Sequence, residues 1–229
     1  EDDFDKFDKF LNNFGSSPKY LGITFNILIP KIFGPLRRIY EKKIVFENQF
    51  KNWIFFNKFT PVKSLNTKRF GNIKGGTIDK KIFVSYTSFF NQIYASFVKE
   101  ILKNEKNPSI VEIGPGYGEQ AYFILKDFKK SNYLCLDIPE VLALSSFYLM
   151  NSFPKKKFLL YGEKPFPKNL KKYDILFFPQ EFISSIKANS TDIVINKYSL
   201  GEMNKKTVKK YILNIEKIAN YFFHINQDF

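Results

Sequence analysis

Apolar positions in the second half of the chain follow two alternating patterns. Short runs of consecutive apolar residues, typical of buried parallel strands, end at Ile113, Asp137, Phe178, Asn196 and Ile225. Between these runs, apolar residues recur every three or four positions, which is the period of a helix packed on a sheet. The alternation predicts an α/β fold over residues 81–229, a Rossmann-like, doubly wound and mostly parallel sheet. A further apolar run at residues 158–161 indicates a short extra strand.

Residues 1–80 have a different character and are predicted to form a helical N-terminal extension or cap. Phe4, Phe7, Phe10 and Phe14 recur at helical spacing, and a second helical stripe runs from Leu36 to about residue 59. Glycines and prolines interrupt residues 15–35, and residues 60–80 are expected to be a loop. A third helix is predicted over residues 86–102. The basic, aromatic extension suits packing on the domain formed by residues 81–229, with peripheral membrane contact as the alternative.

The most informative motif is the segment Glu112-Ile-Gly-Pro-Gly-Tyr-Gly118, which follows one strand and opens a helix. Glycines at a strand-to-helix turn allow a tight bend and a close approach of the backbone to a ligand. Asp137 ends the next strand, 21 positions after Gly116 (137 − 116). This is close to the offset expected for a carboxylate that accepts the hydroxyl groups of a ribose.

Glu112 indicates which nucleoside the loop would hold. A pyrophosphate is disfavoured beside a carboxylate, whereas S-adenosylmethionine has no phosphate and carries a sulfonium and an ammonium group. The dinucleotide fingerprint also expects a small residue at position 119, where this chain has Glu119. The pattern therefore favours S-adenosylmethionine as the cofactor. A dinucleotide, or a glycine turn that binds nothing, are the alternatives.

Three segments resemble one family. Glu112-x-Gly-x-Gly-x-Gly followed by Asp137 resembles the class I S-adenosylmethionine-dependent methyltransferases. The segment Leu136-Asp-Ile-Pro-Glu-Val is similar to a segment of small-molecule O-methyltransferases. Residues 192–203, with an Asn-x-x-Ser-x-x-Glu-Met element, and residues 221–226 are similar to bacterial sugar O-methyltransferases. The resemblance covers about residues 80–229.

The resemblance implies a transferase that methylates a sugar hydroxyl, in cell-surface glycan biosynthesis, on a nucleotide- or lipid-linked sugar or glycan. Methylation of another small molecule or of RNA, and a non-catalytic scaffold, are the alternatives. The implied cofactor-binding residues are Glu112, Gly114, Gly116, Tyr117, Gly118, Asp137, Ile138, Gln180, Glu181, Phe182 and Asn196.

Two residues are candidates for the catalytic base. Glu202 matches the glutamate of the sugar-enzyme element, although a carboxylate there could instead satisfy the start of the next helix. His224, the single histidine, has a suitable pKa range but lies in an apolar strand pattern that also suits a core residue. The spacings that bind zinc are absent, and no convincing carboxylate set is present for a divalent ion, so no metal site is predicted.

Composition adds the remaining expectations. The formal net charge is +14, but the lysines are scattered, and the charge does not call for a nucleic-acid partner. Residues 155–172 are nevertheless rich in lysine. One cysteine, Cys135, excludes an internal disulfide framework. With no secretory signal, we expect a cytoplasmic protein. The chain begins without Met, and about five core strands are placed where a class I domain usually has seven, which suggests a piece of a longer protein.

Overall fold

The structure, a computed structural model, describes residues 2–16, 34, 40, 46–57 and 59–226. Contacts between Cα atoms divide the chain into two compact units, Glu1–Phe97 and Val98–Phe229. The predicted role of residues 1–80 as a cap is not tested by this division and stays a prediction.

The first unit combines helices with a small antiparallel hairpin. Its core contains Trp53, Leu65, Val84 and Phe89. The indole Nε1 of Trp53 donates a 2.6 Å hydrogen bond to Oε1 of Gln92, so the polar edge of this buried ring has a partner. The elements are α1 (Asp2–Leu11), α2 (Asn48–Phe56), β1 (Gly75–Ile78), β2 (Ile82–Ser85) and α3 (Ser88–Ile101), within which the division between the units falls.

The hairpin corrects the expectation of a loop over residues 60–80. Asp79 and Lys80 form its turn and have positive φ values of 50° and 56°. This backbone conformation closes tight hairpins, and the sequences Asn-Gly or Asp-Gly usually mark it. Gly75 allows the strands to pair, because a Cβ atom there would lie 2.1 Å from the carbonyl oxygen of Val84. The sequence Asp-Lys at the turn is an uncommon hairpin signal, which is why the pattern did not indicate this hairpin.

The predicted helices of this unit are confirmed where the structure describes them, but the apolar stripe of α1 is mostly not buried. Phe4 and Phe7 are 82% and 48% exposed, whereas Phe14, beyond the end of α1, is fully buried. In α2, Trp53 is buried but Ile54 is exposed. Residues 35–39 and 41–45 of the predicted stripe lie outside the described residues.

The second unit is a six-stranded sheet in the order β5-β6-β4-β3-β7-β8, and every pair of neighbouring strands is parallel. This confirms the predicted α/β, Rossmann-like architecture, including the short extra strand, which becomes the edge strand β5. The strands are β3 (Ser109–Ile113), β4 (Asn132–Asp137), β5 (Phe158–Leu160), β6 (Ile175–Pro179), β7 (Thr191–Lys197) and β8 (Ala219–Ile225).

Both faces of the sheet are covered, which explains why its strands are continuously apolar. On one face, alternate residues such as Val111, Leu134 and Val194 form a cluster with Tyr211 and Ile215 of a helix. The other face carries the intervening residues. The helices are α4 (Glu119–Asp127), α5 (Pro139–Ser152), which contacts β4 and β6, and α6 (Lys205–Ile218), which provides Tyr211 and Ile215.

The parallel register sets the position of the candidate site. Ile113, the last residue of β3, pairs with Leu136 on one side and Asn196 on the other, so the segments after these strands emerge at one edge. Ligands of open α/β sheets bind at this carboxyl edge. Among the described residues, no helix is both long enough and apolar enough to cross a membrane.

Candidate functional site

The loop between β3 and α4 depends on its glycines. Gly114, Gly116 and Gly118 have φ values of 76°, 57° and 93°, in the left-handed region that side chains rarely adopt. At Gly114 there is a second reason, since a Cβ atom would lie 2.3 Å from Oγ of Ser199. The predicted glycine turn is therefore present, and Gly114 also allows the segment after β7 to approach closely.

Asn196 and Ser199 hold this segment against the end of β3. The amide Nδ2 of Asn196 donates to the carbonyl oxygen of Ile113 at 3.0 Å and also to Oγ of Ser199. The Ser199 hydroxyl donates to the same carbonyl at 3.2 Å. Asn196 is fully buried, so the structure places it behind the loop as a support. Its predicted contact with a cofactor stays a prediction.

Asp137 lies at the end of β4, next to the glycine loop. Its Oδ1 accepts a 2.8 Å hydrogen bond from the N–H of Ile138. Burial raises the pKa of this carboxyl to about 6; the N–H of Ile138 lowers the pKa, the charge of Glu202 raises it, and the N–H of Gly116 lowers it. The Ile138 side chain is 44% exposed, so an accessible apolar group stands beside a carboxylate, as a nucleoside site requires.

Glu112 is a fully buried carboxyl group directly before the loop. The hydroxyl of Tyr133 donates to its Oε2 at 2.8 Å, while its Oε1 has no hydrogen-bond partner among the described residues. Burial raises the pKa of Glu112 to about 7, against opposing effects of Lys197 and Tyr133, and Asp137 raises it further. A buried oxygen without a partner is costly, and a donor from a ligand or water would satisfy it.

A lysine that the sequence reasoning did not single out accompanies this carboxyl group. Lys197, the last residue of β7, has a lowered pKa because of burial, while Glu112 and Glu119 act in the opposite direction. On α4, Gln120 is 1% exposed, and neither polar atom of its side chain has a hydrogen-bond partner within the described part of the chain. The loop is thus flanked by the carboxyl groups of Glu112 and Asp137 and by the unsatisfied amide of Gln120.

The segment after β6 contains the predicted adenine contacts. Oε1 of Gln180 accepts a 3.0 Å hydrogen bond from the hydroxyl of Tyr211 on α6. Burial, followed by the charges of Asp137 and Glu181, raises the pKa of Tyr211 to about 12. Tyr211 therefore lies near Asp137 and orients Gln180, a role that its place in the apolar face of a helix did not reveal.

Phe182 is more enclosed than expected for a residue that stacks on a cofactor. Its ring lies 5.3 Å from that of Phe178, 5.3 Å from Phe166 and 5.6 Å from Tyr161. Tyr117 of the glycine loop is also enclosed. It is 4% exposed, and its ring lies 5.2 Å from that of Tyr148. Both rings thus pack against other aromatic rings, and their predicted ligand contacts stay predictions.

The two candidate bases lie around the turn that follows β7. Glu202 is exposed, and its charge reaches Asp137. The residue that caps α6 is Asn204, whose Oδ1 accepts the N–H of Thr207 at 2.9 Å. The alternative of a helix-capping Glu202 is therefore not supported.

His224 is exposed, so the alternative of a core histidine is wrong; β8 is an edge strand, which an apolar pattern does not show. Its ring stacks on Phe222 at 4.9 Å, and its Nδ1 is 3.4 Å from Nδ2 of Asn226. Oδ1 of Asn226 in turn accepts the N–H of Gly201 at 3.3 Å. Asn226 thus connects the histidine to the turn that carries Glu202.

The structure therefore brings most predicted residues to one edge, and it adds Lys197, Ser199, Tyr133, Gln120 and Tyr211. In the part of the chain that is described, no group of three or more His, Cys, Asp or Glu side chains is arranged to hold a metal ion.

Comparisons with known proteins found similarity in structure alone. No family model and no curated protein matches this sequence. The CurJ carbon methyltransferase aligns with a TM-score of 0.42 and 15% identity over 59% of this chain and 34% of that one. A SAM-dependent methyltransferase from Aquifex aeolicus aligns with a TM-score of 0.40 and 13% identity over 55% of this chain and 57% of that one. The mitomycin 7-O-methyltransferase MmcR aligns with a TM-score of 0.42 and 15% identity over 62% of this chain and 39% of that one. Each alignment covers less than two thirds of the other chain.

Proposed function

We propose that this chain is an S-adenosylmethionine-dependent O-methyltransferase that acts in the cytoplasm on a sugar hydroxyl, in glycan biosynthesis. The substrate is a nucleotide- or lipid-linked sugar. The observation that carries the proposal is the pair of carboxyl groups at the glycine loop, Glu112 before it and Asp137 beside it. This pair disfavours a phosphate and favours a nucleoside that carries positive charge. The ammonium of Lys197 is itself favoured by the charges of Glu112 and Glu119, so its positive charge is already offset by these carboxyl groups.

The residues present fit this cofactor. Asp137 can accept the two ribose hydroxyls, and the exposed side chain of Ile138 offers an apolar surface for the base. Gln180, whose oxygen is occupied by Tyr211, keeps its NH2 group to donate to the edge of the base. The unpartnered oxygen of Glu112 and the amide of Gln120 can serve the amino-acid portion, directly or through water.

When bound, S-adenosylmethionine supplies a methyl group on a positively charged sulfur. The main task of the protein is then to align the acceptor hydroxyl, which is worth effective molarities of roughly 10⁵–10⁸ M in well-oriented reactions. Asn196 and Ser199 serve this alignment by fixing the end of β3.

Removal of the hydroxyl proton is assigned to Glu202. Its carboxylate is exposed at the carboxyl edge and close enough to Asp137 to affect its pKa. A sugar hydroxyl is weakly acidic, so a general base contributes roughly 10²–10⁴-fold to the rate. His224 is the second candidate, because Asn226 connects it to the same turn.

Calorimetry with S-adenosylmethionine tests the cofactor assignment. We expect binding, and we expect Asp137→Ala to weaken it by about 1.5–3 kcal/mol, the usual range for a hydrogen bond to a charged group. Asp79→Asn, which removes a charge from the exposed hairpin turn, is the matched control and should bind normally. Tight binding of NAD without any response to S-adenosylmethionine would reject the assignment.

A methyl-transfer assay with labelled cofactor tests the acceptor. The panel contains nucleotide sugars, lipid-linked saccharides, cell-surface glycans, RNA and unrelated small hydroxylated molecules. Glu202→Gln should lower turnover by roughly 10²–10⁴-fold while leaving cofactor affinity nearly unchanged. If turnover falls only a few-fold, His224 is the general base instead of Glu202. Labelling of RNA or of an unrelated small molecule without any glycan product would overturn the sugar assignment, and cofactor binding without any transfer would favour a scaffold.

A further inference from the structure

A cavity lies at the end of the sheet opposite to the glycine loop. It has a volume of about 480 Å³ and is lined by Ser109, Thr191 and Asn220, which stand at or next to the starts of β3, β7 and β8. The five residues of β3 separate this edge from the glycine loop by about 16 Å. The part of the cavity at the strand starts is therefore distinct from the glycine loop, although one lining residue, Phe166, packs its ring 5.3 Å from that of Phe182. The volume of the cavity is within the range of sites for small molecules.

Positive charge dominates the lining of this cavity. Lys168, Lys171 and Lys187 contribute three ammonium groups, and none of them is in an ion pair within the described part of the chain. Among the described residues, Asp192 is the one acidic residue in the lining, and its Oδ2 already accepts a 2.7 Å hydrogen bond from the N–H of Ser109. Three cations against one partly engaged carboxylate favour an anionic occupant.

The cavity also has uncharged groups that suit phosphate oxygens. Oδ1 of Asn169 accepts the N–H of Lys171 at 2.9 Å, so the NH2 group of this amide is left to donate into the cavity. Thr191 is 2% exposed, and its Oγ1 has no hydrogen-bond partner among the described residues. A hydroxyl buried without a partner is unfavourable. An anionic oxygen, or a water molecule ordered by one, would supply the missing partner.

Part of the lining is apolar, which points to an organic portion in addition to the charged one. Phe166 lines the cavity and is held by edge-to-face packing against Phe178, with 5.0 Å between ring centroids. Leu170 and Ile186, both buried, also line it. An anion of inorganic type would use only the lysine side of such a cavity.

We propose that this cavity binds a small molecule with at least two phosphate groups on an organic body, as a nucleoside diphosphate or triphosphate has. Lysine ammonium groups are common ligands of phosphate. The lysine-rich segment 155–172, to which the methyl-transfer site gives no role, provides two of the three cations. The occupant is distinct from the methyl donor, which carries no phosphate.

Calorimetric titration of the full chain with ADP, ATP and inorganic tripolyphosphate, near 150 mM salt to screen long-range attraction, tests the proposal. Lys171→Gln/Lys187→Gln should weaken nucleotide binding by about tenfold or more, since each removes a charge-assisted hydrogen bond. The control Lys206→Gln/Lys209→Gln removes the same two charges from exposed positions of α6 and should bind like the unchanged protein. Circular dichroism establishes that each variant is folded.

The outcomes separate the possible sources of the ligand. Nucleotides that bind more tightly than tripolyphosphate, with loss in the cavity variant alone, support the proposal. Two results would overturn the proposal: equal loss of nucleotide affinity in the cavity variant and the control variant, or an affinity for single-stranded RNA equal to that for the nucleotides. Either result would mean that the overall charge of the chain attracts any polyanion. Tripolyphosphate binding as tightly as ATP would also contradict it, because the apolar lining would then be unused. Failure of S-adenosylmethionine to bind would leave this result unchanged, so the two proposals can fail separately.

Discussion

Replacing Glu112 by glutamine should stabilise the protein at alkaline pH and weaken the cofactor site. The carboxyl group is fully buried, and burial raises its pKa from 4.5 to about 7. In the unfolded chain this group ionises at its ordinary pKa, so between these values the folded state binds more protons than the unfolded state. The stability contributed by the neutral form is therefore complete at low pH and is lost as the pH rises through 7.

The magnitude follows from the two pKa values. With pKa values of 4.5 unfolded and about 7 folded, linkage gives a loss of about 2.5 kcal/mol between pH 5 and pH 8. The glutamine variant stays neutral throughout and can still accept the hydrogen bond from the Tyr133 hydroxyl. Its free energy of unfolding should decline less over this interval, although Asp137, whose pKa is also raised by burial, contributes a smaller decline in both proteins.

Urea unfolding at pH 5, 6, 7 and 8 measures this difference. We expect the free energy of unfolding of Glu112→Gln to exceed that of the unchanged protein by about 1–3 kcal/mol at pH 8. This difference should shrink toward pH 5. Glu216→Gln, the same change on the exposed side of α6, is the control and should shift stability by less than about 0.5 kcal/mol at every pH. Parallel pH curves for the unchanged protein and Glu112→Gln would refute the reasoning, since they would show that Glu112 pays no ionisation penalty in the fold.

Two further predictions concern the loop and its ligand. Gly114→Ala should cost more than Gly162→Ala, because both glycines have positive φ but only the Cβ at position 114 meets a neighbour; left-handed strain accounts for about 1–2 kcal/mol in each. In urea unfolding, Gly114→Ala should cost less in a Ser199→Gly background than in the unchanged protein, and an equal cost in both backgrounds would show that the contact with Ser199 is unimportant. Affinity for S-adenosylmethionine should fall by up to about tenfold per pH unit below pH 6, because protonated Asp137 is a poorer acceptor. Asp137→Asn should flatten this pH profile in calorimetry, and an unchanged profile would assign the titration to another group.

The sequence predicted those parts of the site that depend on short-range spacing. The glycine loop and Asp137 are recognisable because a strand, a turn and a helix impose local requirements on residue type. The strands of the sheet are recognisable because burial on two faces demands continuous apolar runs. These features do not depend on what lies across the molecule.

The missed features depend on contacts between distant residues. Tyr211 has the position of a core residue in its helix, and only the folded chain shows its hydroxyl on Gln180. The exposure of His224 follows from its strand lying at the edge of the sheet, which the order of strands along the chain does not determine. The β1–β2 hairpin was missed because Asp79 and Lys80 adopt a turn conformation that glycine or asparagine usually marks.

The support that Asn196 and Ser199 give to Ile113 has a consequence for folding. These hydrogen bonds join residues 83 and 86 positions apart, and the parallel pairing of β3 with β7 has to form before they can. Contacts of such long sequence separation form slowly, because the chain between them must first be ordered. During synthesis, a nascent chain that has emerged only as far as α5 contains the whole glycine motif but lacks its support. Ligand binding should thus begin only after β7 has joined the sheet, and its onset can mark that step in a refolding experiment.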